Sequence, residues 1–425
     1  MQEITFYTFL IIGFIYFSHI AIFCIGGNIY DIVQTLNKNK LKNSRYKKYH
    51  PQVSVLIPAY NEELVIERCL ESVIKSQHRK LQIIAINDNS SDNTAQIVRE
   101  FIRNNSKKNI RLISRRKNQG KAMGLNYALK KYATGELIMT LDADSILEKR
   151  TISNAVKYFI NNNIHGIAAN VRILPSRGSF LNLLQLFEYL VSYRTKKFYS
   201  LTNSEFIIGG VGSVYRKDTM KNFGYYDDSS ATEDIGLSMK IASSGTKSMK
   251  LKYASNVIAF TESVSTIPQL LKQRYRWKYG NLQNLFKYSS KFIANRKNQS
   301  KVMLFYRLPM SYLSEILLLL EPFLLSYAFY LSYKSGTISV FVSAYILLSV
   351  YSAFVLWSDE YLSVANKRKL SLAVPALYFL FYIMSFIQIA AAIKCLGKIP
   401  SIATSNSSNN TWISPKRLGA KILLR

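Results

Sequence analysis

Glu136-Leu137-Ile138-Met139-Thr140-Leu141-Asp142-Ala143-Asp144 is an apolar run closed by two carboxylates. The run predicts a buried strand, and acids at its end predict a ligand beyond the carboxyl edge of a sheet. Outward from it, Val53 to Ile57, Gln82 to Ile86 and Ile110 to Ser114 read as further strands. Helices are expected between them over Leu64 to Ile74, with Ile66, Leu70 and Val73 on one face, over Thr94 to Ile102 after Ser91-Asp92, and near Ala122 to Tyr132. This alternation predicts an α/β domain with a doubly wound, mostly parallel sheet. Beyond Asp144 the pattern loosens through Arg150 to Tyr199, then tightens at Phe206 to Arg216 and in a helix near Asp234 to Ser243.

The flanks are of another kind. From Ile4 to Tyr30 no Asp, Glu, Lys or Arg interrupts an Ile- and Phe-rich run, which is longer than a bilayer core of ~30 Å requires at ~1.5 Å per residue. No basic region precedes it and no small-x-small site ends it, so a transmembrane helix is expected rather than a cleaved signal peptide. Lys38, Lys40, Lys42, Arg45, Lys47 and Lys48 follow and place that end in the cytoplasm. Ser335 to Ser358 and Leu370 to Ile393 are uncharged, and Leu308 to Tyr333 is apolar apart from Glu315 and Glu321, which predicts three more spans. Glu315 and Glu321 are expensive against lipid and are expected to face the bundle interior or a polar passage. Four spans would leave the tail outside, whereas Lys394, Lys398, Lys416, Arg417, Lys421 and Arg425 favour the inside. The expected parts are a membrane helix over 1–31, a basic linker over 32–50, the α/β domain over 51–262, an interfacial segment over 263–300, a bundle over 301–395 and a tail over 396–425.

Composition narrows the classes. Among 425 residues, 48% are hydrophobic, which excludes disorder, and 56 Lys+Arg against 25 Asp+Glu give a net charge of +31. The excess reflects scarce acids and bases beside membrane spans, with no recognition motif, so nucleic acid is not an expected partner. Cys24, Cys69 and Cys395 have neither metal-ligand nor disulfide spacing.

The chemistry-bearing residues fall at strand ends. Ile57-Pro58-Ala59-Tyr60-Asn61-Glu62-Glu63 ends the first strand and opens a helix. Asp88 ends the second, where a carboxylate either caps a helix or accepts hydrogen bonds from a nucleobase or ribose. Asp142 and Asp144, at i and i+2, can converge on one hard cation and leave positions for phosphate oxygens. Such a cation would neutralise a leaving diphosphate. Lys121, after Gly120, adds a point charge for the same phosphates or is a solvated first-turn residue. Thr232-Glu233-Asp234 opens a helix, and a carboxylate there beside other acids can have a pKa high enough to take a proton from a hydroxyl. Gly209-Gly210-Val211-Gly212 is either a close approach to ligand or a tight turn. In Gln273-Arg274-Tyr275-Arg276-Trp277, Arg276 can grip a phosphate, and Trp277 can stack on a sugar or anchor at the membrane interface, the reading composition favours.

Asp88, Asp142-Ala143-Asp144, Thr232-Glu233-Asp234 and Gln273-x-x-Arg276-Trp277, in that order, resemble the membrane-integrated inverting family 2 glycosyltransferases. Length, the single N-terminal span and the tail Thr411-Trp412-Ile413-Ser414-Pro415-Lys416-Arg417 look most like poly-β-1,6-N-acetylglucosamine synthases, with hyaluronan and chitin synthases as relatives. The resemblance implies a cytoplasmic GT-A domain between membrane helices in a multi-pass plasma-membrane protein. By the same resemblance, Asp88 holds uridine with Tyr60 and Glu62 close by, Asp142 the UDP with Lys121, and Asp142 with Asp144 a Mg²⁺ or Mn²⁺. Asp234 is then the base, Arg276 a diphosphate contact, and Glu233, Gln273 and Trp277 acceptor contacts. The implied function is processive extension of a β-linked polysaccharide from a UDP-sugar, UDP-N-acetylglucosamine first, with export through the protein's own helices. Its partners are the donor, the growing glycan or a lipid acceptor, the bilayer and an accessory membrane subunit. The alternatives are a hyaluronan- or chitin-type synthase, single-sugar transfer to a lipid, and a non-catalytic nucleotide-sugar sensor or transport component. Asn89 stands where such proteins commonly carry glycine, and Lys278-Tyr279-Gly280 where poly-N-acetylglucosamine synthases carry Ala-Gln-Gly.

Overall fold

The computed structural model describes residues 2–40, 49–174, 179–359, 361–404, 417 and 419. Lys42, Arg45, Lys47 and Lys48, the tail residues 405–416, and Lys421 and Arg425 lie outside the described residues.

Strands β1 (Val53–Ala59), β2 (Leu81–Asn87), β3 (Ile110–Ser114) and β4 (Leu137–Thr140) pair in parallel in the order β3-β2-β1-β4. Every residue of β1 and β4 is buried, because helices cover both faces, and this is why they read as continuous apolar runs. Val55 and Ile57 pack with Ile66, Leu70 and Val73 of α2 (Ile66–Ile74) and Val98 of α3 (Thr94–Asn104). Leu56, on the opposite face of the pleat, packs with Leu125 and Leu129 of α4 (Lys121–Lys131). The expected parallel half is therefore present.

Strand β4 is a seam. On its other side β7 (Ser213–Arg216) runs antiparallel, followed outward by β6 (Ile164–Ile173), β8 (Lys250–Thr261) and β5 (Ser145–Leu147) in one eight-stranded sheet. Of Phe206 to Arg216, only the last four residues are a strand. Helices α5 (Thr151–Tyr158), α7 (Lys217–Asn222) and α8 (Glu233–Ser244) complete this half. The fold is of the GT-A type.

The remaining helical elements are α1 (Gln2–Lys40), α6 (Phe180–Leu201), α9 (Ile267–Ala294), a π-turn at Met303–Arg307 leading into α10 (Leu308–Lys334), α11 (Ile338–Trp357), α12 (Val364–Leu396) and α13 (Ile399–Thr404). Among the described residues, two stretches are long and apolar enough to cross a bilayer, Leu10–Leu36 and Met303–Lys334. In α11 and α12 the strongly apolar stretches are shorter, Tyr345–Trp357 and Tyr382–Leu396. Leu370, Val374, Met384 and Ile387 of α12 join one cluster with Leu184 and Phe187 of α6 and Leu270 of α9, so α12 lies against the helices that underpin the sheet. Glu315 pairs with Lys278 and Glu321 hydrogen-bonds Ser385 of α12, so both acids face protein. Arg417 reaches the α/β domain, where it ion-pairs with Glu62 and Asp144.

Candidate active site

The loops after β1, β2 and β4 open at one edge because those strands are parallel and in register, Ala59 opposite Asn87 and Leu56 opposite Thr140. Asn61 and Asn89 take positive φ, 54° and 65°, as asparagine tolerates. Ser90 Oγ accepts from the Asn61 N–H at 3.0 Å and Asn61 Oδ1 accepts from the Ser91 N–H at 2.9 Å, tying the first two loops together.

Asp88 is buried there. Its carboxylate accepts from Arg115 at 2.8 Å and from the Gly120 N–H at 3.0 Å, while burial pushes its pKa up against these partners. Tyr60 stands half-buried at the end of β1. Glu62 is buried and holds Arg417 bidentately, through Nε at 2.8 Å and a terminal nitrogen at 2.7 Å, and the other terminal nitrogen of Arg417 lies 2.6 Å from Asp144 Oδ2. The position expected beside uridine is thus engaged by the tail in this state.

Asp142 and Asp144 follow β4. Lys121 Nζ lies 2.6 Å from Asp142 Oδ1 and 3.2 Å from Glu233 Oε1. Burial raises the Asp142 pKa, but Lys121, Arg417 and Arg276 outweigh it and hold the group below the usual carboxylate range. The second oxygen of Asp144 accepts from Ser145 Oγ at 2.9 Å and Thr261 Oγ1 at 3.3 Å, which fixes its carboxyl plane. Among the described residues no group of three or more His, Cys, Asp and Glu forms a closed metal cage. Two acids that each hold a cation here, Lys121 and Arg417, nevertheless fit a hard divalent ion, which accepts few protein oxygens and takes the rest from phosphate and water.

Glu233 and Asp234 form the first turn of α8. Asp234 Oδ2 accepts from the Gly210 N–H at 2.6 Å and Oδ1 from the Ile235 N–H at 2.8 Å. Burial, then the neighbouring Glu233, raises its pKa to about 6, in the range suited to a general base. Gly210 is the meeting point. A Cβ there would lie 2.9 Å from Lys121 Nζ, 3.4 Å from Asp234 Oδ2 and 3.9 Å from Asp142 Oδ1, so three of the expected site residues converge on one glycine. Gly209-Gly210 is thus the close-approach reading of the glycine run, and Gly212, at φ +67°, is the turn.

The Gln-x-x-Arg-Trp segment lies on α9, which crosses the start of α8. Asn284 Nδ2 donates to Ser230 Oγ at 2.9 Å and Thr232 O at 3.2 Å, and a Cβ on Gly280 would collide with Thr232. Arg276 is exposed, 3.5 Å from Ala231 O, and its charge is felt by both Asp142 and Asp234. Gln273 accepts from Arg274 at 3.1 Å. Arg274 is fully buried, paired with Glu188 of α6, and stacks 4.3 Å from the Trp277 ring, which holds that ring from one side. Lys278 is the 2.5 Å partner of Glu315.

Sequence reasoning missed Arg115, Glu188 and the role of Arg417. Arg115 follows β3 and carries no motif. Arg417 was visible as part of the tail, but nothing local in the sequence tied it to residues some 355 positions away.

Residues 50–280 match the family described as glycosyltransferase-like family 2. The chain is 27% identical over 413 residues to a poly-β-1,6-N-acetyl-D-glucosamine synthase of Staphylococcus epidermidis, covering 93% of this chain and 95% of that one. It is 32% identical over 241 residues to the synthase of that name from Staphylococcus aureus, 55% of this chain and 56% of the other. A mannosyltransferase from Pyrobaculum calidifontis, solved with GDP-mannose and Mn²⁺, shares the fold at 20% identity and a TM-score of 0.54 over 88% of this chain and 98% of its own.

Proposed function

The chain belongs to glycosyltransferase family 2, and from that membership we propose that it extends a β-1,6-linked N-acetylglucosamine polymer from UDP-N-acetylglucosamine and passes it along its membrane helices. The 27% identity across 93% of the chain supports the donor and the linkage. The convergence of Lys121, Asp142 and Asp234 on Gly210 supports the transfer itself.

The chemistry divides by residue. Asp88, braced by Arg115, accepts hydrogen bonds from the nucleoside, with Tyr60 at the same loop. Lys121 and Arg276 meet the diphosphate, and Arg276 is the freer of the two because it is exposed. A Mg²⁺ or Mn²⁺ would be held by Asp142 and Asp144 and would neutralise charge on the leaving diphosphate. Arg417 must give up Asp144 for that. Asp234 takes the proton from the acceptor hydroxyl as it attacks the anomeric carbon in line, so an α-linked donor gives a β-linked product without a covalent intermediate. Trp277, fixed by Arg274, offers its ring to the acceptor sugar, with Gln273 and Glu233 beside it. The domain faces the cytoplasm, with α10 to α12 lining the glycan's path, the bilayer around them and an accessory membrane subunit as a further partner.

The test is UDP release by the detergent-purified full chain with Mn²⁺ or Mg²⁺ and UDP-N-acetylglucosamine, UDP-glucose or UDP-glucuronate, singly and in pairs, followed by sizing of the product. Turnover with UDP-N-acetylglucosamine alone and a long product is expected. A single sugar per acceptor would overturn polymerisation, and a requirement for glucuronate would overturn the homopolymer.

A further inference from the structure

Asp234 is held from one side by a segment that is neither helix nor strand. Residues 205–210 run between α6 and β7, mostly buried, and end in the Gly210 N–H that Asp234 accepts at 2.6 Å. A buried coil that positions a catalytic proton acceptor needs its own anchors, since it has no ladder or helical hydrogen bonds to fix it.

It has three. At its start, Glu205 is 2% exposed; its Oε1 accepts from the Ile207 N–H at 2.9 Å and lies 3.5 Å from Lys196 Nζ of α6. Lys196 also donates to Ile207 O. In the middle, Ser238 of α8 donates to Phe206 O at 2.8 Å and accepts from the Ile208 N–H at 3.1 Å. From the membrane side, Arg307 packs its guanidinium against Tyr199 at 3.8 Å and Phe206 at 4.6 Å. Arg307 is the last residue of the π-turn at the foot of α10, and such turns gather at functional sites.

Fold stability alone accounts poorly for this cluster. A buried Lys–Glu pair gains little over a well-packed apolar pair of equal volume, and here Glu205 Oε2 and Arg307 Nε are both buried without a hydrogen bond. Burial also pushes the Lys196 ammonium down, with Glu205 the main opposing influence. What the charges do achieve is directional: Lys196 and Glu205 between them take both backbone groups of Ile207, three residues before Gly210. We infer that Lys196, Glu205 and Arg307 are positioning residues for glycosyl transfer, clamping residues 205–210 so that the Gly210 N–H holds Asp234 towards the acceptor, and that they tie this setting to α6 and α10. The inference rests on the proposed transfer reaction.

The experiment joins hydrogen–deuterium exchange to kinetics on the full chain in detergent. In Lys196→Met and Glu205→Gln, exchange across 205–210 rises at least tenfold while β1 is unchanged. The kcat for UDP release from UDP-N-acetylglucosamine falls at least tenfold with donor KM within twofold, and Lys196→Arg recovers at least half of kcat. Ser238→Ala, which cuts the middle tie without stranding a buried charge, moves both readouts the same way and serves if the charge variants do not fold. Unchanged exchange at 205–210, or a kcat loss matched by an equal loss of UDP affinity, would overturn the clamp. Wild-type protein that releases no UDP while the exchange responds as stated would sustain the clamp and sink the polymerase reading.

Discussion

Asp234 shows how little of a residue's task resides in its own side chain. Its place at the start of α8 is legible as a helix-opening acid, and its neighbour Glu233 is adjacent in sequence, but the burial that raises its pKa comes from α9 crossing above and residues 205–210 beneath. Because Asp234, the proposed base, must be ionised to act, the transfer rate is expected to fall as pH drops through about 6 and to be level above it, which a pH profile of UDP release measures. Asp234→Asn keeps the shape and removes proton acceptance, so kcat should drop by about 10²–10⁴-fold while UDP binding by calorimetry is retained. A profile without an acid limb near 6 would move the base elsewhere. Asp142 and Asp144 were readable for a different reason: a buried strand ending in two acids is costly unless something takes up their charge. Arg115 was not readable, since its importance comes only from the parallel pairing of β2 with β3.

Among the elements, β1 to β4 and α2 to α4 were legible because each buries a face with a clean period. Helices α6 and α9 and strands β6 and β8 were less so. The β6–β8 ladder shifts register at Ile164/Gly166 and Ala169/Asn170, which breaks alternation, and α6 packs against the sheet on one side and α1 and α12 on the other, which blurs its amphipathic stripe. The crossing of α9 over α8 depends on absent side chains. Gly280→Ala would drive a methyl into Thr232 and should cost about 1–3 kcal/mol, seen as a lower thermal midpoint with a matching loss of activity. The α9–α10 contact depends on a charge pair instead. Lys278→Met strands Glu315 and should destabilise by about 3–5 kcal/mol, whereas Lys278→Met with Glu315→Leu should return close to wild type; unfolding of wild type and these two variants in one detergent settles the sign.

At the scale of the molecule, Arg417 is joined to the loops at the end of the sheet by its ion pairs with Glu62 and Asp144. Arg417 competes for Asp144 with any cation that comes to that carboxylate, so Arg417→Ala should tighten Mn²⁺ binding in the absence of nucleotide by up to about tenfold, or about 1.4 kcal/mol, as read by calorimetry. Weaker Mn²⁺ binding would instead make Arg417 a support of the site. The α/β domain and its flanking helices were legible in composition and run length; the return of the tail was not, because an ion pair between distant residues leaves no periodic trace. The seam at β4 has a historical reading as well. Everything proposed to grip the nucleoside is encoded before Leu141, in the parallel half, and nearly everything proposed to receive the sugar is encoded after Asp144. A single gene crossover between those codons would therefore part the proposed nucleoside grip from the proposed acceptor contacts, with Arg276, proposed for the diphosphate, travelling with the acceptor half.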